Sequence, residues 1–174
     1  VRRFPSAGVL QSIISYARNA ETTIDDVLDL KHPHFLALAD TIKSIAVNYE
    51  KGKKAANVMD FDDLLVNWLR LLEKSEKIRQ KHQDQFQYIL VDEYQDTNKI
   101  QASIVKILAA KHRNLLVVGD DAQSIYSFRA AEIKNILEFE KEYKDAKIFR
   151  LETNYRSTPE ILNLANDIIA NNVN

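Results

Sequence analysis

Cysteine is absent, and with it go every disulfide and every cysteine-ligated zinc site. Glycine is nearly as scarce: Gly8, Gly52 and Gly119 are the only ones in 174 residues. A phosphate-cradling loop of the form Gly-x-x-x-x-Gly-Lys-Ser/Thr needs two glycines at fixed spacing ahead of a lysine. Gly52-Lys53 comes nearest, but Val47 holds the first glycine position and Lys54 the hydroxyl position, so the loop is missing. No apolar run approaches the roughly twenty residues that span a bilayer. The start, Val1-Arg-Arg-Phe-Pro5, has no signal-peptide core. The expectation is a cytoplasmic protein without a membrane partner. Excess charge is missing too: at a formal net charge of −1 there is no bulk basic field, and any contact with nucleic acid must come from local groups.

What is present is enough apolar material, 45% of the chain, for one core with a smaller subdomain beside it. The informative stretch is Phe86 to Asn98, an apolar run that ends abruptly in two acids. Tyr88 to Val91 reads as a strand buried on both faces of a parallel sheet. Asp92 and Glu93 then fall at its carboxyl end, where open α/β sheets bind ligands. Asp92 is suited to hold a hard divalent cation and Glu93 to polarise an attacking water. Taken alone, the pair reads as the start of a turn, with Asp96 or Asn98 capping the next helix.

Two further apolar segments repeat the pattern. Leu115 to Val118 ends in Gly119-Asp120-Asp121 and runs on through Ala122-Gln-Ser-Ile-Tyr-Ser-Phe-Arg-Ala130. Lys147 to Leu151 leads into Glu152-Thr-Asn-Tyr-Arg-Ser157. Helices are expected at Lys99 to Ala110, Ile133 to Tyr143 and Ile161 to Ala170, the βαβ rhythm of a parallel sheet. Ser157-Thr-Pro-Glu160 reads as a helix start with Ser157 as cap, holding Arg156 just ahead of it where an anion would be favoured. A structural partner for Arg156, such as Glu152, is the plainer alternative.

These segments together resemble the UvrD/Rep-type DNA helicases of superfamily 1. Val91 to Asn98 resembles that family's Walker B motif, Val118 to Arg129 its motif III, and Asn154 to Ser157 its motif IV. The resemblance implies the partial RecA-like P-loop fold of a first motor domain (α/β, parallel sheet, phosphate-loop half missing) with an α-helical subdomain. Residues 1–57 would be part of the inserted helical subdomain and 58–174 the C-terminal half of the motor domain. It implies ATP and Mg2+ as cofactors, single-stranded and partly duplex DNA as partners, 3′-to-5′ movement, and the remaining helicase domains of a longer chain. Val1 in place of an initiator Met agrees with an excised piece, which by itself is expected not to hydrolyse ATP. The motor part of a helicase–nuclease subunit, or a non-motor interaction module on the same fold, is the alternative.

Residue by residue, the resemblance gives Asp92 and Glu93 to metal and water, and Gln123 and Arg156 to the nucleotide. Gln123, able both to donate and to accept, suits a residue that reads the γ-phosphate. Tyr126 and Phe128, with Arg129 beside them, are placed to meet DNA: aromatics on a loop stack on bases at about 1–3 kcal/mol each. The alternative is that Ile125, Tyr126 and Phe128 pin the loop to the core. Ala122, Phe128 and Ala130 depart from the Asp, Trp and Gly of many relatives.

The first half reads as helical. Val9 to Ala17 forms one amphipathic helix ending near Asn19, and Glu21 to Leu28 a second, capped by Thr22 or Thr23. His32-Pro-His34 is a solvated break without the ligand count of a metal site. Phe35 to Tyr49 is a third helix, and Lys51-Gly-Lys-Lys54 its solvated end. Asp60 caps a fourth whose buried stripe is Phe61, Leu64, Leu65, Trp68, Leu71 and Leu72. Trp68 is therefore expected in the core rather than against a base. Ser75 to Gln85 is a polar helix.

Overall fold

The computed structural model describes residues 4–171. It divides into two compact units, Val1–Leu137 and Glu138–Asn174.

The first unit opens with α1 (Ala7–Asn19) and α2 (Ile24–Lys31), and Thr23 caps α2 in a reciprocal capping box with Asp26. Pro33 cannot continue α2 and opens a 3-10 turn, Pro33–Leu38, from which α3 (Ala39–Ala56) runs. Ile13, Ala17, Val27, Leu28 and Ile42 are buried together where these three helices meet. The helix expected from Phe35 thus starts four residues later and ends seven residues later. It passes through Gly52, and Asn57 closes it in a left-handed cap at φ 53°.

That extension overturns the solvated reading at Lys53 alone; Lys51 and Lys54 stay exposed near the helix end, as expected. Lys53 is buried, 7% exposed, because α3 carries it against the start of α4 (Phe61–Lys74). Its Nζ lies 2.7 Å from Asp60 Oδ2, 2.7 Å from Asp63 Oδ2 and 2.9 Å from Glu50 Oε1. Arg18 reaches in from α1, with Nη2 donating to Asp63 Oδ1 at 2.5 Å and Nη1 3.0 Å from Glu50 Oε1. Asp60 and Asp63 also form the capping box of α4, so the same two carboxylates satisfy helix amides and bury cations. Burial alone would push the Asp63 carboxyl up, but Lys53 and Arg18 outweigh it and hold it well below the usual range. For Lys53, burial acts downward, and hydrogen bonds to Asp60, Asp63 and Glu50 raise it instead.

Along α4 the buried stripe is narrower than expected. Leu69 and Leu72 pack with Ile100 and Ile104 of α6 (Lys99–Ala109), and Leu65, Val66 and Trp68 lie against them. Trp68 is half-buried against this core, edge-on to His82 at 4.8 Å. Phe61, Leu64 and Leu71 instead face outward, Phe61 at 88% exposure, because α4 meets neighbours along one side only. The polar helix expected from Ser75 is α5 (Glu76–Gln85), and Ser75 is its cap, its side chain accepting from Ile78 N.

Two short strands follow, β1 (Ile89–Val91) and β2 (Leu115–Val117), parallel and in register Ile89 to Leu115, Leu90 to Leu116 and Val91 to Val117. α6 connects them, capped by Asn98 in a box with Gln101. β1 is not buried on both faces: Leu90 is 71% exposed and Leu116 51%, so one face of the sheet is open. The single helix expected over Ile133 to Tyr143 is two pieces, α7 (Lys134–Leu137) and α8 (Phe139–Glu142), and the unit boundary falls between them.

The second unit corrects two expectations. Lys147 to Leu151 forms no strand among the described residues, since a strand needs a ladder partner and the unit has no other extended segment to supply one. Ile148, Phe149 and Leu151 are exposed. α9 (Pro159–Ile169) is capped at Thr158, not Ser157, with Pro159 in its first turn. Ser157 is drawn into the preceding turn, where its amide and that of Arg156 both donate to Asn154 Oδ1.

The buried ion cluster sets a contrast within one helix. Lys53→Met, which leaves three carboxylates around an apolar chain, should cost this chain about 3 kcal/mol in urea unfolding. Lys54→Met, on the exposed neighbour, should stay within about 0.5 kcal/mol. Because Asp63 binds its proton less readily folded than unfolded, its contribution is complete above the unfolded value, about pH 4. It drains away as pH falls below that, and Asp63→Asn should flatten this acid limb of stability. Equal costs for the two lysine variants would mean that the cluster does not carry the packing of α1, α3 and α4.

Candidate functional site

The site is built where both strands of the first unit release their chains on the same side. Val118 N donates to Val91 O at 2.8 Å and Tyr94 N to Val118 O at 2.9 Å, so the ladder is extended one step past each strand. Asp92 and Glu93 thereby leave the sheet beside Gly119 and Asp120. Asp92 Oδ1 accepts from Glu93 N at 2.9 Å, and Glu93 takes a left-handed backbone, φ 52° and ψ 42°, uncommon without glycine. The chain then makes a 3-10 turn, Tyr94–Asp96, in which Tyr94 and Gln95 are buried while Asp92 and Glu93 stay exposed.

Gln95 is the residue the sequence did not single out. Its side chain is fully buried between the two loops. Nε2 donates to Glu93 Oε2 at 2.7 Å, and Oε1 accepts from Asp120 N at 3.0 Å. Asp120 in turn caps the turn Asp121–Gln123: Oδ1 accepts from Ala122 N at 3.0 Å and Oδ2 from Gln123 Nε2 at 2.7 Å. Gly119 makes the close approach possible, since a Cβ there would stand 2.5 Å from Gln95 Oε1 and 2.6 Å from Ile136 Cδ1. The one available signal for Gln95 was its place two residues after Glu93, and spacing alone does not say which way a side chain turns.

Beyond Gln123 the loop carries its rings outward. Ile125 is 69% exposed and Phe128 62%, so neither pins the loop to the core. Tyr126 and Phe128 lie 5.8 Å apart, and the Arg129 guanidinium sits 5.4 Å and 5.3 Å from their centroids. Two rings and a cation thus form one exposed surface, stacking area with charge at its edge. The loop closes on Ala130, buried at φ 64°, and Ala131 bridges to Asn98. Arg156 belongs to the second unit; it is exposed in the turn ahead of α9.

The geometry bears on the cation. Among the described residues no three His, Cys, Asp or Glu side chains gather as a metal cage. Mg2+ is commonly held by one or two carboxylates together with substrate phosphates. Asp92 and Glu93, adjacent and open to solvent, fit that division.

A family model described as UvrD/REP helicase N-terminal domain matches residues 8–144, and the chain belongs to that family. It is 49% identical over 131 residues to the ATP-dependent DNA helicase PcrA of Staphylococcus aureus (strain Mu50), covering 75% of this chain and 18% of that protein. The PcrA of Staphylococcus epidermidis (strain ATCC 35984) is 48% identical over the same length and coverage. The chain spans 18% of the length of these relatives. No helix among the described residues is long and apolar enough to cross a membrane.

The packing of Gln95 on Gly119 gives opposite signs at two glycines. Gly119→Ala should destabilise this chain by about 1–3 kcal/mol, because Gln95, fully buried and hydrogen-bonded at both ends of its amide, cannot yield without losing a partner. Gly52→Ala, within α3 and with nothing within 4 Å of the new methyl, should stabilise it by up to about 1 kcal/mol. Thermal melts of the two variants read the difference, and a Gly119→Ala protein as stable as the parent would contradict the close approach.

Proposed function

We propose that this chain is part of the first motor domain of an ATP-dependent DNA helicase that moves 3′-to-5′ along single-stranded DNA and unwinds partly duplex substrates. Residues 1–57 are then part of the inserted helical subdomain, and 58–174 the C-terminal half of a RecA-like domain. The phosphate loop and the second motor domain lie elsewhere in the full-length protein. The observation that carries the reading is the hydrogen-bonded junction of the two strand-end loops, which joins the acids of one to the glutamine and aromatics of the other. Membership of the helicase family supports it.

In this reading the chemistry is positioning and charge stabilisation. Asp92 holds Mg2+, which when bound with ATP neutralises phosphate charge. Glu93 accepts a proton from the attacking water, and its exposure leaves it open to one. Gln123, already turned by Asp120, senses whether the γ-phosphate is present; Arg156, in the other unit, is a cation of the type that nucleotide chemistry uses. Tyr126 and Phe128 stack on bases while Arg129 meets the backbone. Because Gln123 and Phe128 are only five residues apart on one loop, a shift at the nucleotide end is felt at the DNA end.

In the full-length protein Glu93→Gln should lower DNA-stimulated ATP turnover by about 100-fold or more while leaving nucleotide affinity nearly unchanged. Phe128→Ala should weaken single-strand binding by about 1–3 kcal/mol. Gln123→Ala should keep DNA binding but lose its response to a non-hydrolysable ATP analogue, all affinities being taken at one salt concentration. Ordinary turnover in Glu93→Gln, or a full nucleotide response in Gln123→Ala, would defeat the assignment.

A further inference from the structure

We propose that Gln95 is a positioning residue that keeps the water-activating carboxylate and the nucleotide-sensing loop in step; this rests on the roles just given to Glu93 and Gln123. A primary amide has two chemically different ends, one that only donates and one that only accepts. In Gln95 the two ends divide between the loops: Nε2 donates within its own turn, to Glu93 Oε2 at 2.7 Å and to Asp96 Oδ2 at 3.4 Å, and Oε1 accepts from the amide of Asp120 on the neighbouring loop. Asp120 passes the constraint on to Gln123 Nε2, so one unbroken chain of hydrogen bonds runs Glu93, Gln95, Asp120, Gln123. Ser124 Oγ adds a 3.4 Å contact to the Gln95 carbonyl from the same loop.

Two features make this chain more than filling. Gln95 is wholly buried, so a lost partner is not replaced by water and leaves an unmatched polar group. Glu93 sits in a left-handed conformation that its own backbone does not favour, and its carboxylate needs an external tie to hold one direction. Gln95 supplies that tie and anchors it on the neighbouring loop. A movement of residues 120–123 therefore reaches Glu93 through one side chain, without passing through the sheet.

The two ends of the amide can be removed separately in the full-length protein at pH 8. Gln95→Glu keeps an acceptor for Asp120 N but no longer donates to Glu93. It should lower kcat for ATP about 100-fold, with KM within about two-fold and the nucleotide-dependent shift in single-strand affinity retained. Gln95→Met, of similar volume, removes both ends and should lose kcat and the shift together. Filling alone would move melting temperature and leave the two readouts unsplit in the variants. Wild-type kcat in Gln95→Glu, or loss of the shift in that variant, overturns the proposal, and does so even if Gln95→Met fails to fold. A wild-type protein without DNA-stimulated turnover overturns the helicase reading beneath it instead.

Discussion

A carboxylate placed between two cations, Asp63 with Lys53 and Arg18, is the constraint on which the helical part of the molecule depends. Each partner comes from a different helix: Arg18 closes α1, Lys53 lies in the last turn of α3, and Asp63 stands in the first turn of α4. Burying any one of these charges alone would be unfavourable, and only the joint arrangement satisfies all three. The cluster therefore specifies relative placement more sharply than apolar packing could, since leucines tolerate sliding and a forked guanidinium does not. From it the constraint passes outward. Asn19, next to Arg18, donates to Asp62 and accepts from Asn98, and Asn98 begins α6 directly after the acidic loop. Helices far from the strand ends in sequence thus touch the segment that follows Glu93.

What the sequence reveals here is local. The caps at Thr23, Asp60 and Asn98 were readable because a cap and its partner lie within three residues and their chemistry is explicit. The β1, α6, β2 crossover was readable from the alternation of short apolar runs with a helical segment, as was the placement of polar groups at both strand ends. The acids Asp92 and Glu93, Gln123, and the aromatics Tyr126 and Phe128 were all visible as types in a pattern.

The failures are equally physical. Lys53 reads as solvated because nothing within its own helix announces the acids it meets on α4. Lys147 to Leu151 has the composition of a strand, but a strand exists only when a neighbour accepts its ladder. Ser157 and Thr158 are both acceptable caps by type, but the helix begins after Thr158, whose side chain makes no capping bond, while Ser157 lies in the turn held by Asn154. Gln95 was overlooked because its meaning lies in a contact twenty-five residues away in sequence, with Asp120.

The two-stranded sheet has a practical consequence. Both strands are edges, Leu90 and Leu116 are uncovered, and Tyr88 beside them is 72% exposed. With a net charge of only −1, little electrostatic repulsion keeps copies apart. Open ladder groups beside apolar side chains are a template for strand addition. The sheet is thus one place where copies of the isolated chain can add to each other: a lysine or glutamate at position 90 or 116 would act as a gatekeeper there, without touching either loop.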